Sequence, residues 1–216
     1  MSGILVLEKT RWIETIMTVL RDSHTDRATF RKYAELMGDA LVVEAINSGY
    51  IPTYGRAVIS PTGAAVQGFS LGHHPSVVAV SIVRAGNAFV NSVLRLVGAN
   101  TELGQLVIQR DENTALPITL LEKVPLTISA AECVLLLDPM LATGGSVLAA
   151  ISVLVAHGVR PERIVLLHAL GCPEGIAAIT AAYPNIRAVI GVVDSHLNDR
   201  KFIIPGLGDF GDRFFC

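Results

Sequence analysis

The stretch of this chain best suited to chemistry is residues 134–147, V-L-L-L-D-P-M-L-A-T-G-G-S-V. Four apolar residues end in Asp138, and Thr143, Gly144, Gly145 and Ser146 precede a second apolar run. The pattern reads as a buried strand, a tight turn and the start of a helix. Glycines let main-chain N–H groups approach an anion, and a helix N-terminus adds partial positive charge, so the turn has the makings of a phosphate cradle. Asp138, at the end of the strand, could accept hydrogen bonds from sugar hydroxyls or from the backbone of its own turn.

Other signals carry less. Residues 206–211 spell G-x-G-x-x-G, but only five residues follow, too few for the βαβ unit of a dinucleotide site. No G-x-x-x-x-G-K-[ST] is present, which disfavours a P-loop kinase. His73-His74 and the pair His168 and Cys172 invite a metal reading, yet neither has third and fourth ligands at suitable spacing. Cys133 reads as a small core residue rather than a nucleophile.

Alternating strands and helices must position the turn. Trp12, Ile13, Ile16, Met17 and Leu20 share one helical face. A second helix starting near Thr25 turns Phe30, Tyr33, Leu36, Met37 and Leu41 inward. Residues 51–75, punctuated by Pro52, Gly55, Pro61, Gly63, Gly68 and Gly72, read as short antiparallel strands or an irregular flap. From residue 76 the pattern is regular: an apolar run Val77–Val83, a turn at Arg84-Ala85-Gly86, and a helical stretch through Phe89, Val90, Val93, Leu94 and Val97. Runs 103–108 and 118–124 flank Arg110-Asp111-Glu112 as a two-strand excursion.

A helix over 146–157 stops at Gly158, a C-cap residue. Strand 164–169, helix Pro173–Ala182 and strand 188–193 complete an α/β succession, the signature of a parallel sheet covered by helices. Ligands in such sheets collect at the carboxyl ends of the strands, so the turns after Val83, Leu137, Ala169 and Val193 should share one face. The tail, 202–216, reads as a glycine-rich loop, too apolar at Ile203, Ile204, Leu207 and Phe210 to be a solvated appendage. The expected organisation is a single domain over 1–216: N-terminal helices 1–50, the flap 51–75, a core 76–200 and the tail loop 201–216.

Composition narrows the partners. A chain of 216 residues can bury about 70% of its unfolded surface. Its formal net charge of −2 and lack of a basic stripe argue against nucleic acid. Hydrophobic residues make up 51% of the chain, yet every apolar run is broken well short of the ~20 residues of a membrane span. The N-terminus, M-S-G-I-L-V-L-E-K-T, lacks the regions of a secretory signal. Three widely spaced cysteines suggest neither a disulfide framework nor a zinc cluster, and a reducing cytoplasm is expected.

Five motifs, in order, carry a resemblance: R-A-G at 84–86, R-D-E at 110–112, D-P-M-L-A-T-G-G-S at 138–146, P-E-G-I at 173–176 and I-P-G-L-G-D-x-G-D-R at 204–213. The chain resembles the uracil phosphoribosyltransferase family over about residues 15–215. The resemblance implies a type I phosphoribosyltransferase fold: a central, mainly parallel sheet flanked by helices, with a two-strand arm and a C-terminal hood. It implies transfer of ribose 5-phosphate from phosphoribosyl pyrophosphate (PRPP) to N1 of uracil, giving UMP and pyrophosphate in pyrimidine salvage.

By the same resemblance, Asp138, Pro139, Met140, Leu141, Ala142, Thr143, Gly144, Gly145 and Ser146 bind PRPP, together with Arg84, Arg110 and Asp209. Arg84 and Arg110 are also the implied catalytic residues, because cations on the leaving pyrophosphate matter most as its charge grows. Each arginine has the plainer alternative of pairing with a surface acid. Asp209 is the third, as an aid to proton removal from N1. Ile203, Gly208, Asp209 and Phe210 are implied to read uracil. Magnesium is expected on the pyrophosphate rather than in a protein cage, and a homo-oligomer, dimer or larger, is expected.

The chain departs from the family pattern at Phe210, where Ala is common, at Asn87, where an apolar residue is usual, and at Gln109, which replaces Tyr. The Phe210 ring would either stack on a base or fill the pocket. These departures motivate two alternatives: a weakened or inactive ligand-binding homologue with a regulatory role, and a same-fold enzyme with another base as acceptor.

Overall fold

The computed structural model of the protein describes residues 3–71, 77–110 and 117–216, and at Arg110, Pro117 and Ile118 the backbone alone. His73, His74, Asp111 and Glu112 lie outside the described residues. A short strand, β1 (Ile4–Val6), leads into helices α1 (Arg11–Arg21) and α2 (Arg27–Asn47). Both begin on side-chain caps: Thr10 accepts from the Ile13 N–H and Asp26 from the Thr29 N–H, satisfying donors that a helix start leaves open. Ile13, Ile16, Met17 and Leu20 face the core as the spacing predicts. Trp12 does not; it is 51% exposed, because it sits at the edge of the stripe and lies over the groove between α1 and α2.

Next comes a hairpin, β2 (Thr53–Ile59) paired antiparallel with β3 (Ala65–Leu71) in unbroken register from Thr53↔Leu71 to Ile59↔Ala65. The flap region is thus a regular ribbon over those residues. Strand β4 (Val77–Val83) runs into a 3-10 turn, Ala85–Phe89, and helix α3 (Val90–Leu96). Then follow β5 (Glu102–Arg110), β6 (Pro117–Lys123), β7 (Cys133–Leu137), β8 (Met140–Leu141), α4 (Gly145–Ala156), β9 (Ile164–Gly171), α5 (Pro173–Ala182) and β10 (Arg187–Val193). The tail holds a small antiparallel pair, β11 (His196–Leu197) with β12 (Ile203–Ile204), and a last helix, α6 (Phe210–Phe215).

The main sheet has the order β1-β10-β9-β7-β4-β5-β6, with β8 also on β9, and every pairing is parallel except β5 with β6. The two-strand arm around Arg110 is the antiparallel pair at the sheet's edge: β5 takes its register from β4 and alternates Leu106 and Ile108 inward with Leu103 and Gln109 outward. One expectation changes. The tail is not all loop, because Asp209 caps a helix by accepting from the Asp212 N–H at 2.9 Å.

The core lies on both faces of the sheet. In β7, Cys133, Leu135 and Leu137 pack towards the α1–α2 layer while Val134 and Leu136 pack towards α4. Burial on both faces explains why the central strands read as unbroken apolar runs instead of alternating. It also places the ends of β4, β7, β9 and β10 along one edge, where the site is built. No described helix is long and apolar enough to cross a membrane.

Candidate active site

Two adjoining concavities lie at that edge. The larger, about 390 Å³, is walled on one side by the end of β4 with Arg84 and by Asp138, Met140, Ala142 and Ser146, and on the other by residues 201–203 and 208–211. The smaller, about 90 Å³, is formed by Asp138, Met140 and residues 142–147 at the start of α4. Gly144 caps α4 in a left-handed conformation (φ 81°), and the first residues of that helix, Gly145 to Val147, line the small concavity. This is the local geometry of an anion cradle.

The loop from Asp138 to Ala142 is pinned from below. Asp138 donates its N–H to the Leu167 carbonyl at 3.3 Å. Pro139 is buried, its carbonyl accepting from the Leu170 N–H at 3.0 Å, and Leu141 is fully buried and paired with Gly171. Pro139 and Leu141 therefore lie outside both concavities, because the β8 pairing turns them into the core; Met140 and Ala142 face the cavity.

His168 and Cys172, a metal-like pair in the sequence, act as struts for the same loop. His168 Nδ1 lies 2.5 Å from the Asp138 carbonyl oxygen, and the Cys172 thiol donates to the Ala142 carbonyl at 3.1 Å. A carbonyl can only accept, so His168 carries its proton on Nδ1. Burial pushes the imidazole pKa down to about 4, which keeps it neutral, with Nε2 buried and without a hydrogen-bond partner among the described residues. Burial also raises the Cys172 thiol. Burial pushes the Asp138 carboxyl up to about 7, and a hydrogen bond from the Met140 N–H pulls the other way.

Motif residues with no obvious chemistry have structural reasons. A Cβ on Gly86 would meet the Leu137 carbonyl oxygen at 2.2 Å, so the turn after Arg84 reaches the end of β7 only with glycine. Gly175 plays the same part for α5, where a Cβ would lie 2.5 Å from the Ala142 carbonyl oxygen. Pro173 starts that helix, a position where its missing N–H costs nothing. Glu174 accepts the Leu197 N–H at 2.9 Å, tying α5 to the tail.

Arg84 points across the cavity mouth to the tail: Nη2 donates to Asp212 at 2.9 Å, Nη1 reaches the Cys216 sulfur at 3.4 Å, and the guanidinium lies 6.0 Å from the Phe215 ring centre. Over half of its side chain remains exposed. Arg110 ends β5 on the same edge, and its side chain is outside the described residues.

On the acceptor side, Ile203, Gly208, Asp209 and Phe210 all line the larger cavity. The Phe210 ring, however, is 2% exposed and packs edge-on against Phe30 at 5.3 Å and stacked with Phe214 at 5.9 Å. It anchors α6 in the core, packed on Phe30 and Phe214 rather than presented to a base. Asn87 is also accounted for, since its side-chain oxygen accepts from the buried Ser81 hydroxyl at 2.7 Å. Gln109 is exposed on β5. Lys201, with φ 64° in the turn between β11 and β12, lines the cavity as well; a lone basic residue in a loop gave no signal in the sequence.

The uracil phosphoribosyltransferase family model matches residues 6–216. A uracil phosphoribosyltransferase of Dictyostelium discoideum is 41% identical, covering 99% of this chain and 96% of the relative. Among solved structures, the AQ2163 protein of Aquifex aeolicus superposes with a TM-score of 0.82 at 31% identity, covering 98% of both chains. An adenine phosphoribosyltransferase of Trypanosoma brucei, at 13% identity and a TM-score of 0.57, covers 93% of this chain and 87% of its own and shares the fold alone. The architecture is that of the type I phosphoribosyltransferases, and the chain belongs to the uracil phosphoribosyltransferase family.

Proposed function

We propose that this site transfers ribose 5-phosphate from PRPP to N1 of uracil, releasing UMP and pyrophosphate, as a pentosyltransferase of pyrimidine salvage. The observation that carries the reading is the pairing of a helix-start cradle with a main-chain-lined pocket across one carboxylate, Asp138. Residues 142–146 hold the 5-phosphate with N–H groups and the Thr143 and Ser146 hydroxyls. Asp138 accepts from the ribose hydroxyls and, once ionised, steadies positive charge developing on the sugar as the C1–O bond breaks. Arg84 and Arg110 take up the charge growing on pyrophosphate, where a cation stabilises the transition state more than the ground state.

Uracil presents carbonyl, N–H and carbonyl along one edge, a pattern that main-chain groups at Ile203, Gly208 and Phe210 can match. Asp209 stands beside them to assist loss of the N1 proton. Magnesium belongs to the substrate in this reading. It arrives on the donor's pyrophosphate, and the open cavity beside the half-buried Asp138 suits a hydrated cation that needs few protein ligands. Breaking Arg84 away from Asp212 frees its guanidinium for bidentate contact with phosphate.

The free cysteines Cys133, Cys172 and Cys216 suit a reducing cytoplasm. Exposed Phe69 (80%) and Ile59 (71%) on the hairpin suit a homo-oligomer, which light scattering would measure.

Incubation with uracil, PRPP and magnesium, followed by assay of UMP and pyrophosphate, tests the reaction. Turnover of uracil alone among a panel of bases is the expected result. Turnover of a different base would reassign the acceptor, and donor binding without pyrophosphate release from any base would overturn the proposal.

A further inference from the structure

A second group of charged residues sits behind the acceptor wall, outside the cavity. Arg21, the last residue of α1, donates from Nη2 to Asp194 Oδ1 at 2.6 Å and from Nη1 to Asp194 Oδ2 at 2.7 Å. The same Nη1 donates to the Gly206 carbonyl at 2.7 Å, and the Gly206 N–H donates back to Asp194 Oδ2 at 2.8 Å. Asp194 is 7% exposed, and its own N–H is bonded to the Gly171 carbonyl at the end of β9. The pair thus takes both main-chain polar groups of Gly206 and joins them to the sheet.

Arg213 repeats the tie from the other side of the loop. Its Nη1 donates to the Leu20 and Leu207 carbonyls and its Nη2 to the Asp22 carbonyl at 2.6 Å, with the guanidinium 4.4 Å from the Phe30 ring centre. The carbonyls at the end of α1, which a helix leaves unpaired, are therefore satisfied by the residue that also holds Leu207.

We propose that Arg21 and Asp194 are positioning residues for the acceptor base: a fork of a partly exposed guanidinium on a buried carboxylate that sets where the main-chain groups of residues 206–210 stand in the pocket. The inference rests on the reading that uracil binds against this loop. Where a base is read by main chain, no side chain at the pocket can be exchanged to alter the fit. Recognition then depends on whatever holds the backbone. The planar guanidinium can serve two carboxylate oxygens and a carbonyl together, which a lysine ammonium on a flexible stem cannot reproduce. A displacement of about 1 Å at a reacting partner can cost roughly 100-fold.

The test compares wild type with Arg21→Lys, Asp194→Asn and the double variant, all as full-length chains. Readouts are kcat and KM for uracil, the dissociation constant for PRPP with magnesium, and amide hydrogen exchange over residues 203–211. The expected result is a fall of about tenfold or more in kcat/KM for uracil. PRPP binding should fall far less than kcat/KM for uracil, through Asp209 alone, exchange should be faster at 203–211 but not at 142–148, and the double variant should be no worse than the poorer single one.

A simple structural ion pair would be rescued by Lys, so full activity of folded Arg21→Lys overturns the proposal. Parallel losses for uracil and PRPP, or unchanged exchange, overturn it too. If Asp194→Asn fails to fold, Arg21→Lys decides alone. Failure of wild type to use uracil sinks the reaction assigned above, while the exchange measurement still decides whether the pair holds the loop.

Discussion

The two stretches that line the cavity, 138–146 and 201–211, proposed as its donor and acceptor halves, face each other but are held in different ways. The first is contiguous: nine residues, 138–146, run from the end of a buried strand to the start of a helix, braced by His168 on β9 and by Cys172 at the start of α5. The acceptor half is a late loop anchored by α1, through contacts such as Arg21 to Gly206 that span 185 positions. Contacts with the neighbouring strand β9 and with Cys172, inside a packed core, hold the first half. The second depends on a few long-range charged ties, so its shape can be altered from outside the pocket.

The sharpest break in this comparison is at Asp138. Asp138→Ala should lower kcat/KM for PRPP by about 100-fold, because a charge aimed at the reacting sugar is lost. The exchange of residues 203–211 should change little. Equal damage to both halves would mean that they are not separable.

Phe210→Ala attacks the other half through the core. It should cost about 3–5 kcal/mol of stability, as expected for emptying a buried aromatic site, and denaturant titration would measure it. A ring used on the base would instead raise the KM for uracil with stability unchanged.

Asp138 also gives the donor half its pH dependence. Its carboxyl is raised from 3.8 to about 7 by burial. Between those values the folded chain keeps a proton that the unfolded chain has released, so stability falls as pH rises through the window and is level above it. Asp138→Asn should flatten that slope in melting curves. Activity runs the opposite way: kcat/KM for PRPP rises with pH through about 7 as the carboxylate forms, and the Asn variant loses that limb.

The smallest effect is expected at the exposed contact between the halves. Asp212→Asn, which releases Arg84 from its 2.9 Å partner, should leave the melting temperature unmoved, since solvent-exposed ion pairs contribute little. A modest gain in pyrophosphate affinity would mark Arg84 as freed for substrate, and calorimetry would detect it.

Much of the frame was legible because it rests on short-range regularity. The helix Pro173–Ala182 and the strand Val77–Val83 occur with the expected bounds, since apolar period, proline and glycine act within a few residues. The phosphate-cradle turn was legible for the same reason. The sequence could not say that Trp12 faces outward, that Pro139 and Leu141 turn into the core, or that the Phe210 ring packs on Phe30. A residue's type does not say what stands opposite it.

By itself, then, the sequence determined an α/β chain with a strand, acid and anion-binding turn at 134–147, and its motifs named the family. Only the tertiary structure decided that His168 and Cys172 brace the 138–142 loop, and that Arg21 and Asp194 hold Gly206. Those roles arise from contacts between residues 12 to 185 positions apart. Burial and hydrogen-bond partners at such separations exist only once the chain has packed, because they depend on which surfaces meet rather than on any local pattern.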